Sequence, residues 1–160
     1  MDASALLSSL GLPLLLGLLG SLLVELGLRP SPLRFWQRPL PSLGLHLGTW
    51  LLLFTLLLLL TQRPWFSLAA VFGLQLFLVV VNNVKHASLK EPFLFQDFEY
   101  FWDMLKHPRL YIPFFGWWRT LLSSGGAIAV ISAGLALEPA FRADLWIAAA
   151  ELIVLAVGLL

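Results

Sequence analysis

The chain has 160 residues, 59% hydrophobic and only 12% charged, with a formal net charge of +1. Soluble globular chains carry roughly 45–50% apolar and about 25% charged residues, so this one cannot clothe itself in water. Intrinsic disorder is excluded by the high hydrophobicity, a nucleic-acid surface is disfavoured by the near-zero net charge, and the absence of cysteine removes disulfides, thiolate catalysis and Cys-ligated metals.

What remains is a chain that lives in a bilayer, where backbone groups must bond within their own segment and long apolar runs read as helices. In chain order the runs predict five spans, at about residues 5–28, 43–61, 65–82, 120–137 and 145–160. The first is too long for a signal peptide, lacks a basic n-region, and offers no small-x-small cleavage site in Glu25-Leu26-Gly27-Leu28-Arg29-Pro30. It therefore reads as a retained span. Four prolines between Pro30 and Ser42 preclude regular helix across that connection. The second run has His46 near its start and Trp50 inside it. The third, closed by Asn82-Asn83, sits near the short limit for a crossing. Gln62-Arg63-Pro64 and residues 138–144 are expected to make tight hairpins. The last run carries Glu151 and is still apolar at Leu160, so the chain is expected to be the front of a longer protein.

Trp36, Trp65, Trp117, Trp118 and Trp146 flank apolar runs, as interfacial anchors do; Trp50 is the exception. Glu25 and Glu151 are functional candidates because carboxylates inside a bilayer are expensive, although both lie near the ends of their runs. His46 reads as a satisfied interior or interface histidine rather than a proton carrier.

Residues 82–119 differ from everything else. This 38-residue stretch holds nine of the 19 charges, two of the three histidines, both tyrosines and nine Phe or Trp. Leu94, Phe98, Phe101 and Leu105 recur at helical spacing, with Gln96, Glu99, Asp103 and Lys106 opposite. Asp97 is placed to cap the helix start, and His107-Pro108 to stop it. The acidic polar face is wrong for a peptide that seeks anionic lipid, so docking on the protein's own spans or on a partner is expected. Around this helix Lys85, His86, Lys90, Arg109 and Arg119 supply cations. They could hold a lipid phosphate, with Arg109 as bidentate donor and Lys85 as point charge. The plainer reading is ordinary pairing of Lys90, Lys106 and Arg109 with Glu91, Asp97, Glu99 and Asp103. No ligand spacing such as H-E-x-x-H supports a metal among Asp97, Glu99, Asp103, His86 and His107. The fold class is thus all-α: a polytopic membrane bundle of about five transmembrane helices with one short amphipathic interfacial helix within 83–119.

The run Asn82-Asn83-Val84-Lys85-His86-Ala87-Ser88-Leu89-Lys90-Glu91-Pro92-Phe93-Leu94-Phe95-Gln96-Asp97-Phe98 reads as Asn, a basic stretch, a Glu-Pro pair, apolar residues and Asp. It resembles a pattern that follows the third span in the N-terminal membrane domains of lipoteichoic-acid-synthase-like and phosphoglycerol-transferase-like proteins of the sulfatase superfamily. His107-Pro108-Arg109-Leu110-Tyr111-Ile112-Pro113-Phe114-Phe115-Gly116 resembles the proteobacterial branch. The resemblance implies a multi-pass domain of the bacterial cytoplasmic membrane that anchors and presents lipid substrate to a catalytic domain, here expected beyond residue 160. It implies supporting roles, in lipid-phosphate binding or domain docking, for Asn82, Lys85, Glu91 and Asp97, with Arg109 added from the charge pattern. No catalytic residue, metal or cofactor is placed in this chain; membrane lipid and the catalytic domain are its implied partners, and nucleic acid is not.

Orientation is set differently by two arguments. Arg29, Arg34, Arg38, Lys85, Lys90, Lys106, Arg109 and Arg119 share one side, against Arg63 and Arg142 on the other, which places 82–119 in the cytoplasm by the positive-inside rule. The resemblance places the same loop outside. A reading of another class is a stand-alone membrane scaffold or assembly subunit that binds a partner through 82–119. A transporter is disfavoured, since no span is broken by paired Gly/Pro elements and no inverted repeat is visible.

Overall fold

The computed structural model describes residues 3–107, 109, 116–140 and 145–160, and all regular structure among them is helical. In chain order these are α1 Ala3–Glu25, α2 Leu40–Thr61, α3 Pro64–Leu89, α4 Phe98–Lys106, α5 Trp117–Leu137 and α6 Leu145–Leu159, with 3-10 turns at Phe35–Gln37 and Phe95–Asp97. Two helices, Leu40–Thr61 and the Pro64–Ala87 part of α3, are long and apolar enough to cross a membrane. The apolar stretches Leu10–Glu25, Ser124–Leu137 and Ala149–Leu159 are shorter. Of the five spans expected, two therefore stand on length and composition.

Two boundaries differ from expectation. α2 begins at Leu40, inside the proline-rich connection, because Pro41 sits in the first turn, where a missing N–H has no intrahelical partner to lose. α3 does not stop at Asn82-Asn83 but runs to Leu89, where Lys90 at φ +60° closes it through an N–H bond to the His86 carbonyl. Asparagine weakens a helix when its side chain competes for the local backbone. Here both amides bond to another segment instead, so the helix continues. The expected α2–α3 hairpin is present: Gln62, at φ +56°, ends α2 with an N–H bond to Leu58 O, and Pro64 opens α3 two residues later.

The core is a seam between α1, α2 and α3, joined by α6: Leu10, Trp50, Leu51, Phe54, Leu58, Leu68, Val71 and Ala156 are buried. Trp50, 2% exposed and stacked on Phe54 with ring centroids 5.2 Å apart, belongs to this core rather than to an interfacial belt. Exposed Trp36, Trp65, Trp117 and Trp118 do sit at helix ends; the side chain of Trp146 lies outside the described part.

Small residues set the close approaches. A Cβ on Gly17 would run into the Trp50 ring, and one on Gly20 into Phe72. Gly44 and Gly48, four apart on α2, lie against α6; a Cβ on them would stand 2.9 Å from Leu159 O and 3.0 Å from Ala156 O. Small-x-x-x-small packing of this kind lets helix backbones meet closely in lipid. Gly134 of α5 lies under Phe66 at the start of α3.

These contacts fix helix directions. α1 and α3 run alike, α2 runs against both, α5 against α3, and α6 against α2. One end, called here the loop end, gathers the 26–39 connection, residues 90–97 and the end of α6. The other end holds Gln62-Arg63 and Glu138. Arg142 with the rest of 141–144, and Pro108 with 110–115 of the second resemblance run, lie outside the described residues.

Candidate functional site

The first site grows from the last turns of α3. Asn82 is 9% exposed. Its amide nitrogen donates to Arg29 O at 2.8 Å, and its amide oxygen accepts the Phe93 N–H at 2.9 Å. Asn83 takes up the same connection: its oxygen accepts the Arg29 N–H at 2.8 Å and its nitrogen donates to Gly27 O at 2.7 Å. One turn on, Lys85 Nζ meets Asp97 Oδ2 at 2.6 Å, and that oxygen also accepts the Leu94 N–H at 2.6 Å. Two loops, 27–29 and 93–97, are thereby clipped to one helix end by side chains that answer otherwise idle backbone groups. The Leu94 N–H, and after it the Lys85 ammonium, hold the Asp97 carboxyl below the usual carboxylate range.

Three of the five residues singled out in the sequence, Asn82, Lys85 and Asp97, are thus brought together. Glu91 and Arg109 are exposed and, among the described residues, form no ion pair. Asp97 does not cap α4 as expected; it reaches back to Leu94. The expected pairing of Asp97 with Lys90, Lys106 or Arg109 gives way to Lys85, which α3 delivers because it continues past Asn83. Lys106 lies over the Trp102 ring, 5.5 Å from its centroid. Docking of the amphipathic face on the protein's own spans is not seen at its described members: Leu94 and Phe98 are exposed, while the side chains of Phe101 and Leu105 lie outside the described part.

A second polar cluster lies one layer deeper, where α1, α2 and α3 meet. Glu25 Oε2 accepts from Arg38 Nη1 at 2.6 Å, and Arg38 Nε donates to Leu33 O at 2.7 Å. His46 Nδ1 stands 3.5 Å from the same carboxylate oxygen, and His46 Nε2 is 3.1 Å from Ser21 Oγ. The order serine, histidine, carboxylate is that of a nucleophilic triad. Ser21, however, is fully buried and donates its one proton to Leu18 O at 2.8 Å, so it offers no nucleophile to a substrate. His46 is therefore satisfied within the interior, and Glu25 is an ion-paired tie between α1 and the connection to α2. Beside them is a cavity of about 180 Å³, lined by Glu25, His46 and Gln75 and walled by Val24, Leu28 and Val79. Gln75 Oε1 is buried there without a hydrogen-bond partner among the described residues.

At the opposite end, Glu138 accepts the N–H groups of Trp65 at 3.0 Å and Phe66 at 2.7 Å, and its carbonyl accepts from Arg63 Nε at 2.5 Å. It supplies from the end of α5 the anion that the start of α3 lacks. Glu151 is exposed on α6. Among the described residues no three His, Asp or Glu side chains converge as a metal site requires.

Sequence reasoning did not place Asn83, the Glu25–Arg38 pair or Glu138. A faint signal existed for the pair, since opposite charges flank one connection at the ends of consecutive runs. No family model, curated protein or solved structure matches the chain.

Proposed function

We propose that this chain is a five-span membrane domain that anchors and presents: the membrane part of a sulfatase-type transferase of phosphoglycerol or a related group. Its loop end serves as the platform on which lipid headgroup and catalytic domain meet. The observation that carries this reading is the convergence of Asn82, Lys85 and Asp97, residues of the run that bears the resemblance, into one hydrogen-bonded node. A node that ties two loops to a helix end makes a rigid surface at headgroup level. In it Lys85 holds the loop through Asp97, and exposed Arg109 is left as the planar donor for a phosphate. The alternating helix directions support a chain that crosses with each apolar helix.

Orientation tests the reading, because the charge rule and the transferase role demand opposite answers. The chain has no native cysteine, so single cysteines at Ser42, Ser88 and Ala140 report cleanly. With a membrane-impermeant maleimide on intact cells, the transferase role requires labelling at 42 and 88 and protection at 140. Protection of 42 and 88 until the membrane is opened would falsify it.

That second outcome favours the scaffold reading, which has its own observation. Among the described residues α4 touches little beyond its own 3-10 turn, and Phe95, Tyr100 and Trp102 are 87%, 66% and 61% exposed. Such aromatics are the residues on which protein interfaces are centred.

A further inference from the structure

We infer that α4 and the 3-10 turn before it lie on the bilayer surface, with Phe95 and Trp102 sunk beneath neutral, zwitterionic headgroups. This rests on the membrane part of the reading above and not on the transferase role.

The node sets the level. The apolar stretch of α3 that is long enough to cross a membrane ends at Ala87. Lys85, two residues inside that end, holds Asp97 at 2.6 Å, and Asn82 Oδ1 accepts the Phe93 N–H at 2.9 Å. Asp97 directly precedes Phe98, the first residue of α4. The turn and the start of α4 are therefore fixed where α3 leaves the hydrocarbon. Val80 and Val84 are exposed near the end of α3, so its open apolar surface reaches the same level.

The side chains favour lipid over water and over a protein partner. Leu94, Phe95 and Trp102 are exposed, and among the described residues little of the chain covers them. Four residues apart, Phe98 and Trp102 share one face of α4, and Glu99 and Asp103 share another. Lys106 Nζ lies over the Trp102 ring, 5.5 Å from its centroid. Such a pair suits the bilayer boundary: the indole sits below the headgroups, and the ammonium on its flexible stem reaches up to their phosphates. A tryptophan central to a protein interface instead fills a desolvated pocket, in a core depleted of charge.

Charge then selects the headgroup. Asp97 is paired with Lys85, which leaves Glu99 and Asp103 against Lys106 on α4. A surface helix that seeks anionic lipid carries Lys and Arg on its polar face. This one carries an excess of carboxylate, which a zwitterionic surface does not repel.

The test uses the full chain in phosphatidylcholine nanodiscs, with one nitroxide at a time on Phe95→Cys, Trp102→Cys, Glu99→Cys or Asp103→Cys. Leu76→Cys, at an exposed position on α3, is the membrane control. Electron paramagnetic resonance compares collisions with oxygen, which concentrates among the acyl chains, and with a water-soluble nickel chelate. Labels at 95 and 102 should favour oxygen, at a depth of about 5–10 Å, and labels at 99 and 103 should favour nickel. Replacing part of the lipid with phosphatidylserine should not deepen them. Nickel preference at 95 and 102, with oxygen preference at 76, overturns the inference and spares the membrane reading. Shielding of 95 and 102 from both reagents overturns it too, because protein would then cover the face. Deeper insertion with phosphatidylserine overturns the choice of a neutral surface. Nickel preference at 76 overturns the membrane reading itself.

Discussion

The α1–α2–α3 seam with α6, and the α4–α5 region, are both rich in apolar and aromatic residues, yet they are held in different ways. In the seam Trp50, Phe54, Leu58 and Val71 are almost wholly enclosed, and glycines admit neighbouring rings and carbonyls. Along α5, Leu122, Ile128 and Val130 stay open, and the described anchors to α3 are confined to Gly134 and Glu138 at one end. Hydropathy does not separate the two. On the membrane reading proposed above, an apolar side chain gains little by leaving the tails for a neighbouring helix, so small residues and interhelical polar bonds decide which helices pair. The seam combines both; α5 has small residues along its length, but its described packing against α3 lies at the Gly134 and Glu138 end.

The sharpest way to break this comparison is to add one methyl group to each region. In Gly17→Ala the new Cβ overlaps the Trp50 ring and comes within 2.9 Å of Leu68 Cδ1. Both neighbours are buried, and the rigid indole ring is the nearer, so overpacking should cost on the order of 1–3 kcal/mol. Gly125 of α5 has nothing within 4 Å among the described residues. Gly125→Ala should be neutral or gain up to about 1 kcal/mol from helix propensity. Thermal unfolding in matched micelles measures both. Equal losses at the two positions would mean that α5 is packed as tightly as the seam.

A smaller effect is expected at the node. Asn82→Ala removes the side-chain partner of Arg29 O and the Phe93 N–H, backbone groups of an exposed and a half-buried residue that water can reach, a loss of about 1 kcal/mol. Asn82→Asp keeps an acceptor for Phe93 but cannot donate to Arg29 O, so it should fall by a similar amount. Glu99→Ala on exposed α4 should stay within about 0.5 kcal/mol. Hydrogen exchange at the Phe93 amide separates the cases: it should quicken in both Asn82 variants and not in Glu99→Ala.

How much of this was legible in the sequence follows from the range of each interaction. Helices were legible because apolar runs and prolines act locally, and the α2–α3 hairpin is written in three adjacent residues. The boundary at Asn82-Asn83 was misread because the fate of those amides depends on residues 53–56 positions away. The same remoteness hid Glu138, whose carboxylate meets backbone groups 72 and 73 positions earlier. Lys85 and Asp97 were both singled out, but as separate parts of a phosphate site. Their pairing needed α3 to continue one turn further than local propensity allows. Glu91 and Arg109 came from the same pattern, and the structure leaves them exposed, outside the node.

The gentlest probe of the clipped loop is acid. The Leu94 N–H and the Lys85 ammonium both favour the charged form of Asp97, so its folded pKa lies below the unfolded value of about 3.9. A group shifted in this direction contributes fully above its unfolded pKa and loses that contribution as pH falls through its folded one. Protection of the Leu94 amide, corrected for intrinsic exchange, should therefore be flat from about pH 8 to pH 5 and decline only in stronger acid. The step should be small, because solvent reaches the pair and screens it. Asp97→Asn should lower protection at neutral pH and remove the acid step. A step between about pH 6 and 7 would instead report a histidine, since only that side chain titrates there unperturbed. The assignment of the step to Asp97 would then fail.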